Sequence, residues 1–210
     1  MTILTQGART AEFLLSEANG QRSREQITVN AMAGKLAAGT LLAKITAANA
    51  ATPSAAGGNT GNGTLGTVTV GNDAITGTYV LTITAAAANG GEFSVVDPNG
   101  DAVGAGEVGV QFSAGGLTFT LADGSTDFIV GDAFTIAVNA GLGEWVAYDD
   151  DGTNDGRRAA TGILYAAVDA TEADAQAAVI VRDAEVVGAK LTGLDANGQA
   201  DLLALGIVVR

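Results

Sequence analysis

The chain of 210 residues lacks both cysteine and histidine. Disulfides therefore play no part in the fold, and ordinary zinc sites, histidine-based triads and thiol nucleophiles are excluded. An enzyme built from this sequence would depend on carboxylates, lysine, tyrosine, serine or threonine alone. No spacing of the carboxylates indicates a catalytic cleft, so the sequence predicts no catalytic residue and no cofactor.

The chain is also poor in proline, with two residues, and in aromatic side chains, which make up 5%. Any core must therefore be built from valine, isoleucine, leucine and alanine. Glycine is abundant, with 30 residues, which favours many turns between short strands. No run of about 18 apolar residues occurs, and the N-terminus lacks the pattern of a signal peptide, so no membrane partner is predicted.

Cationic residues are few, because ten lysine and arginine residues stand against 23 aspartate and glutamate residues, for a formal net charge of −13. Binding to nucleic acid phosphates needs clustered lysine and arginine, so no nucleic acid partner is predicted. The span from Ile45 to Asn139 carries eight acidic residues and no basic one. A change this sharp suggests that the chain combines segments of different origin.

Short β-branched and apolar runs, separated by glycine, asparagine and aspartate, predict a mainly β protein with minor α structure. Within the acidic span these runs are 67–70, 77–83, 91–96, 109–112, 117–121 and 133–138. They predict a small antiparallel sandwich or barrel, and their uneven spacing leaves both alternatives open. Near the C-terminus, Asp195 is a predicted N-cap and Gly206 a predicted stop for one helix, which a short strand follows.

Composition predicts a discontinuous domain organisation. Residues 1–25 are polar around one apolar group, and they form either an arm that orders on a partner or a loose tail in which 12–18 could make a helical turn. Residues 26–46 and 140–210 form a β-rich host domain, in which 169–176 is expected to be a loop or a helical turn. Residues 47–58 have the composition of a linker, and 59–139 form an inserted β domain.

The glycine-rich residues 61–66 match the pattern GxGxxG. Dinucleotide binding needs a strand before these glycines and a helix after them, because the phosphates bind at the helix N-terminus. Here a linker precedes the glycines and a β run follows them. A flexible entry into the inserted domain is therefore favoured.

The run Asp149–Gly156 is the densest carboxylate cluster, and alternating oxygen ligands could hold Ca²⁺ there. Asp149 and Asp151 would be the first ligands to test. An EF-hand loop that begins at Asp151 would need a glutamate at its twelfth position, but Gly162 stands there. A structural turn, in which nearby arginines neutralise the aspartates, is favoured over a metal site.

The run 145–156, WVAYDDDGTNDG, followed by 160–169, ATGILYAAVD, resembles the lambda-type head decoration protein family of tailed bacteriophages. In that family a strand ending in aspartate, a DGTxDG-type turn and an apolar strand follow one another. Residues 178–186 resemble the next family strand, and the N-terminal arm, the strand at 38–42 and the helix near 196–205 fit the family's order. The resemblance covers roughly 1–46 and 140–210, whereas the small family members lack the span 59–139.

This resemblance implies a non-enzymatic structural virion protein that sits on the outside of the expanded capsid as a homotrimer and stabilises it against the pressure of packaged DNA. Its partner would be the major capsid protein, contacted by the N-terminal arm with Phe13, Leu14 and Leu15 as anchors. It would be made in the host cytoplasm and located on the outer surface of the virion. The alternative is a carbohydrate- or cell-surface-binding module that binds a host-surface ligand through 59–139.

Overall fold

The computed structural model describes residues 7–31, 33–71 and 73–210. The chain divides into two compact units. Unit 1 comprises Met1–Ala47 and Gly143–Arg210, and unit 2 comprises Ala48–Leu142. Each unit has a hydrophobic core of its own.

Within the described residues the regular structure is mainly β, with one α-helix and two short 3-10 helices at Asn19–Gln21 and Gly188–Lys190. This confirms the predicted fold class. The elements in chain order are β1 (Leu14–Glu17), β2 (Arg24–Val29), β3 (Gly34–Leu36), β4 (Leu41–Lys44), β5 (Ala50–Ala55), β6 (Thr64–Leu65), β7 (Thr69–Val70), β8 (Gly77–Ala87), β9 (Gly90–Val96), β10 (Ala102–Glu107), β11 (Gln111–Ala114), β12 (Leu117–Ala122), β13 (Ala133–Asn139), β14 (Trp145–Ala147), β15 (Gly162–Leu164), β16 (Val168–Ala170), β17 (Ala175–Ile180), β18 (Ala184–Val186), α1 (Ala196–Ala204) and β19 (Ile207–Val209).

Unit 1 is built on a closed barrel of five strands in the order β14-β2-β17-β15-β4. Successive side chains of β4 and β15 enter two different clusters, because neighbouring residues of a strand point to opposite faces. Leu41 and Ile163 belong to the cluster around Phe13, whereas Leu42 and Leu164 belong to the cluster around Trp145. Both faces of these strands are therefore buried, which explains why every residue of β4 and β15 except the exposed Lys44 is apolar.

A second sheet of unit 1, in the order β1-β18-β19, contributes to the cluster around Phe13 together with α1. The helix begins as predicted, because the side chain of Asp195 accepts a hydrogen bond from the backbone N–H of Gly198 at 2.6 Å. It stops as predicted at Gly206, which adopts a positive φ of 75°. The strand that follows, β19, pairs in parallel with β18.

Unit 2 consists of a five-stranded sheet, β10-β9-β8-β13-β5, and a smaller sheet, β11-β12-β6, in which β7 also pairs with β12. Alternate residues of β8, β9, β12 and β13 are buried, as expected for strands with one face on a core. The core contains three phenylalanines in mutual contact, Phe93, Phe112 and Phe119, with ring centroids 4.9–6.0 Å apart.

Two local predictions were wrong, and the loop expected at 169–176 is present but shorter than predicted. Residues 14–17 form strand β1 and not a helical turn, because pairing with β18 outweighs the weak helical preference of so short a segment. Within the predicted linker 47–58, residues 50–55 form β5, which pairs with β13 over its whole length. Within the predicted loop 169–176, β16 ends at Ala170 and β17 begins at Ala175.

Candidate functional site

The three predicted anchor residues lie in different environments. The side chain of Phe13 is only 1% exposed and packs in the core of unit 1. Leu14 is half-buried against the same core, whereas Leu15 is 55% exposed. A partner that binds the folded chain can therefore touch Leu15 but cannot reach the ring of Phe13.

Unit 1 holds the segment around Phe13 by backbone bonds and charges. The N–H of Val187 donates to the carbonyl of Phe13 at 2.8 Å, and the N–H of Ala11 donates to the carbonyl of Tyr165 at 2.9 Å. The ammonium of Lys190 donates to the carboxylate of Glu12 at 2.6 Å and thereby lowers the pKa of that carboxyl. The predicted arm is thus part of the folded unit from Ala11 onwards.

Strand β1 has one free edge. Among the described residues it pairs only with β18, so its opposite edge carries no strand partner. Glu17 fixes the end of β1, because its carboxylate accepts a hydrogen bond from the guanidinium of Arg24. The same guanidinium lies 4.0 Å from the centroid of the Tyr165 ring. A partner strand could add to an edge that is held in this way without unfolding unit 1.

The aspartate-rich turn 149–156 is held together by its own arginines. Asp155 is buried and accepts from the guanidinium of Arg157 through both carboxylate oxygens. Burial alone raises the pKa of the Asp155 carboxyl, but the hydrogen bonds from Arg157 bring it below its ordinary value. Arg158 donates to the backbone carbonyl of Gly152 at 2.7 Å and closes the turn.

The candidate cation ligands Asp149 and Asp151 are both exposed on this turn. Over the described residues, no group of three or more acidic side chains is arranged to hold a metal ion. The turn also anchors the chain just before unit 2, since the N–H groups of Thr46 and Ala47 donate to the carbonyl of Asp155. The geometry is that of a structural turn, the alternative that the sequence favours, and Asp149 and Asp151 stay the first residues to test for a cation.

The glycines of the GxGxxG pattern approach an aromatic ring and not a phosphate site. A Cβ at Gly61 would lie 2.5 Å from the ring of Phe128, and one at Gly63 would lie 2.3 Å from it. Asp132, which is buried, accepts backbone N–H groups from Thr60, Gly61 and Ile129. The glycine spacing gives no sign of the distant ring and carboxylate, so this arrangement could not be predicted from the sequence.

Among the described residues no helix is long and apolar enough to cross a membrane.

The model of one protein family, described as Bacteriophage lambda head decoration protein D, matches residues 3–207. No curated protein matches the chain at a significant level. Two crystal structures of FlgL from Xanthomonas campestris are 22% and 23% identical to it, with TM-scores of 0.34 and 0.35. The matched region makes up 48% and 47% of this chain and 32% and 31% of the two FlgL chains. The flagellar hook junction protein FlgK from Burkholderia pseudomallei is 22% identical, with a TM-score of 0.35. Here the matched region makes up 60% of this chain and 21% of the FlgK chain. The chain thus spans a third or less of these flagellar proteins, and likeness this low supports no argument about its fold or function.

Proposed function

The chain belongs to the bacteriophage lambda head decoration protein D family, and on this premise we propose that it binds the outside of the expanded phage capsid as a homotrimer and stabilises the shell against internal DNA pressure. The observation that carries the proposal is the family match over residues 3–207, nearly the whole chain. The family is structural, and the proposed role requires no catalytic group.

The proposed partner is the major capsid protein, and the proposed contact is the N-terminal part of unit 1. Because Phe13 is a core residue, the contact falls on Leu15, on the free edge of β1 and on the residues before Ala11. Strand addition uses backbone hydrogen bonds, which suit an edge strand with few side chains to offer. Weak contacts of this kind add up when three copies bind a repeating lattice.

Unit 2 is proposed to carry a second binding function towards a host-surface ligand. A carbohydrate ligand is the less favoured form of this proposal, because sugar-binding sites commonly offer an exposed aromatic ring. All six aromatic side chains of unit 2 are buried, namely Tyr79, Phe93, Phe112, Phe119, Phe128 and Phe134.

The proposed function is tested on DNA-filled heads that lack the protein. Adding the full chain should raise the temperature at which packaged DNA becomes accessible to nuclease, because ligands that bind the intact state shift its stability by mass action. Adding an equal amount of an unrelated acidic protein is the control. Heads that release their DNA at the same temperature with and without saturating chain would contradict the proposal.

A further inference from the structure

Unit 2 presents two aliphatic side chains to solvent at the tip of one turn, which we call the 128–132 turn (Phe128, Ile129, Val130, Gly131, Asp132). Ile129 is 49% exposed and Val130 is 62% exposed, although both follow the buried ring of Phe128. Isolated exposed aliphatic residues are common, but two adjacent ones at the tip of a fixed turn form a surface that can be buried by a partner.

Ring packing and hydrogen bonds fix the backbone of the 128–132 turn at several points, so its tip stays exposed in the folded unit. Phe128 packs edge-on against Phe134, with centroids 5.9 Å apart. The buried carboxylate of Asp132 accepts the N–H of Ile129 at 3.1 Å, and the N–H of Asp132 donates back to the carbonyl of Ile129. Gly131, at a φ of 97°, donates to the carbonyl of Ile83 in β8.

The charges around this tip have one sign. Asp127 immediately precedes the turn, is exposed, and accepts the backbone N–H of Asn89 from the neighbouring hairpin of β8 and β9. Glu92, also exposed, lies on that hairpin opposite Ala85. Unit 2 as a whole contains eight acidic residues and no lysine or arginine. A matching surface must therefore supply cations around an apolar centre.

We propose that the 128–132 turn is a docking site for a cationic protein surface that buries Ile129 and Val130 in a small apolar pocket surrounded by lysine or arginine. The aliphatic pair supplies apolar burial, and the surrounding carboxylates steer and orient the basic partner. This site is separate from the proposed capsid contact in unit 1, so either proposal can fail while the other holds.

The test uses the full chain and two fluorescent peptides, one of alternating lysine and leucine and one of alternating lysine and serine. The two peptides carry equal charge and differ only in apolar surface. We expect the chain to bind the lysine–leucine peptide about tenfold more tightly, which corresponds to partial burial of two aliphatic side chains. Binding of both peptides should weaken as salt is added.

The double variant I129S/V130S should lose this preference to within about twofold, because only apolar burial distinguishes the peptides. The matched control is V110S, which removes an equally exposed valine elsewhere in unit 2. Circular dichroism melting curves establish that all variants are folded. A preference that persists in I129S/V130S, or that V110S removes as well, would overturn the proposal. So would binding to phosphatidylcholine vesicles in place of the peptide, because it would assign the turn to a membrane surface.

Discussion

Phe13 and Leu15 are separated by one residue but have opposite roles in the structure. Phe13 is buried in the cluster that includes Leu41, Ile163 and Leu202, whereas Leu15 is more than half exposed. The sequence shows only an apolar group in a polar segment, and such a group suits a core or an interface equally well. In a regular strand, residues two apart point to the same face, so the difference arises because Phe13 lies just before β1 and because the pairing with β18 is irregular between Leu14 and Ser16.

Phe13→Ala is expected to lower the free energy of unfolding of unit 1 by about 3–5 kcal/mol, the usual cost of removing a buried phenylalanine ring. Leu15→Ala should change it by less than about 0.5 kcal/mol, since the side chain is largely in solvent. Denaturant unfolding followed by tryptophan fluorescence measures both, because Trp145 in unit 1 is the single tryptophan of the chain. Equal losses in the two variants would contradict the assignment of Phe13 to the core.

Asp132→Asn is expected to destabilise unit 2 by about 1–3 kcal/mol at neutral pH, because an amide cannot accept all three backbone N–H groups. Burial raises the pKa of this carboxyl, but those hydrogen bonds hold it below the ordinary value of 3.8. The stabilisation is therefore complete above the ordinary value, and it is lost as the pH falls through the lower pKa of the folded state. Circular dichroism should show the gap between wild type and variant closing under acid.

The exposed Asp73→Asn serves as the control for Asp132→Asn, and at neutral pH it should change the free energy of unfolding by less than about 0.5 kcal/mol. The unfolding transition reported by Trp145 fluorescence should be the same in the wild type, Asp132→Asn and Asp73→Asn. A gap between wild type and Asp132→Asn that stays constant down to strongly acidic pH would count against the role of the carboxylate.

At the scale of elements, β4 and β14 form an antiparallel pair whose connection is the whole of unit 2. Lys44 pairs with Trp145, and the N–H of Gly143 donates to the carbonyl of Ile45 at 2.9 Å. The ends of unit 2 are neighbours too, because Ala50 of β5 pairs with Asn139 of β13. The chain therefore leaves and re-enters each unit at neighbouring positions, which a short turn can connect.

Replacing Ala48–Leu142 by an Asn-Gly turn should leave unit 1 folded, because this dipeptide supplies the backbone angles of a tight hairpin. The Trp145 fluorescence transition should keep its midpoint to within a few degrees, as expected for a change of less than about 1 kcal/mol. A shortened chain that shows no cooperative transition would contradict the independence of unit 1.

The contact proposed for the N-terminus predicts different results for two truncations. Removing residues 2–8 leaves Ala11, Glu12 and Phe13 with their partners, so the chain should fold but bind expanded shells at least about tenfold more weakly. Removing residues 2–24 also deletes β1 and the Phe13 ring, so that truncation should lower the stability of unit 1 itself. Undiminished shell binding by the shorter truncation would move the contact to the body of the unit.

The sequence predicts the elements whose pattern is local, and it misses those defined by distant partners. The capped helix from Asp195 to Gly206 was predicted because both of its end signals are neighbours of the helix. Strand β5 was predicted as linker, because Ala-Ala-Thr-Pro-Ser-Ala has little strand preference and forms a strand only through its pairing with β13. Pro53 fits there because β5 lies at the edge of its sheet.

The same reasoning applies to the candidate sites. The density of aspartates in 149–156 suggests a cation site, but the bidentate bond between Arg157 and Asp155 shows that the buried one of its four aspartates is neutralised by a neighbouring arginine. The 128–132 turn had no sequence signal, since the contacts that fix it include residues far along the chain, namely Ile83, Thr60 and Gly61.

At the scale of the whole molecule, charge and structure divide along the same boundary. All ten cationic residues lie in unit 1, where most of them pair with carboxylates, whereas unit 2 has a net charge of −8 from its eight acidic residues. Unit 2 domains on neighbouring copies would repel each other through their negative charge. Close packing on a lattice is therefore easier through unit 1, which also carries the cationic residues. This division supports the proposal that unit 1 binds the capsid and that unit 2 remains accessible to other binding partners.

Co-sedimentation of the full chain with expanded shells of its own phage tests the central claim most directly. The full chain should pellet with the shells and saturate at a fixed ratio of chain to major capsid subunit. Unexpanded shells serve as the comparison and should bind less. A chain that stays in the supernatant at every concentration, with expanded shells present and intact, would contradict the assignment of this protein to the capsid surface.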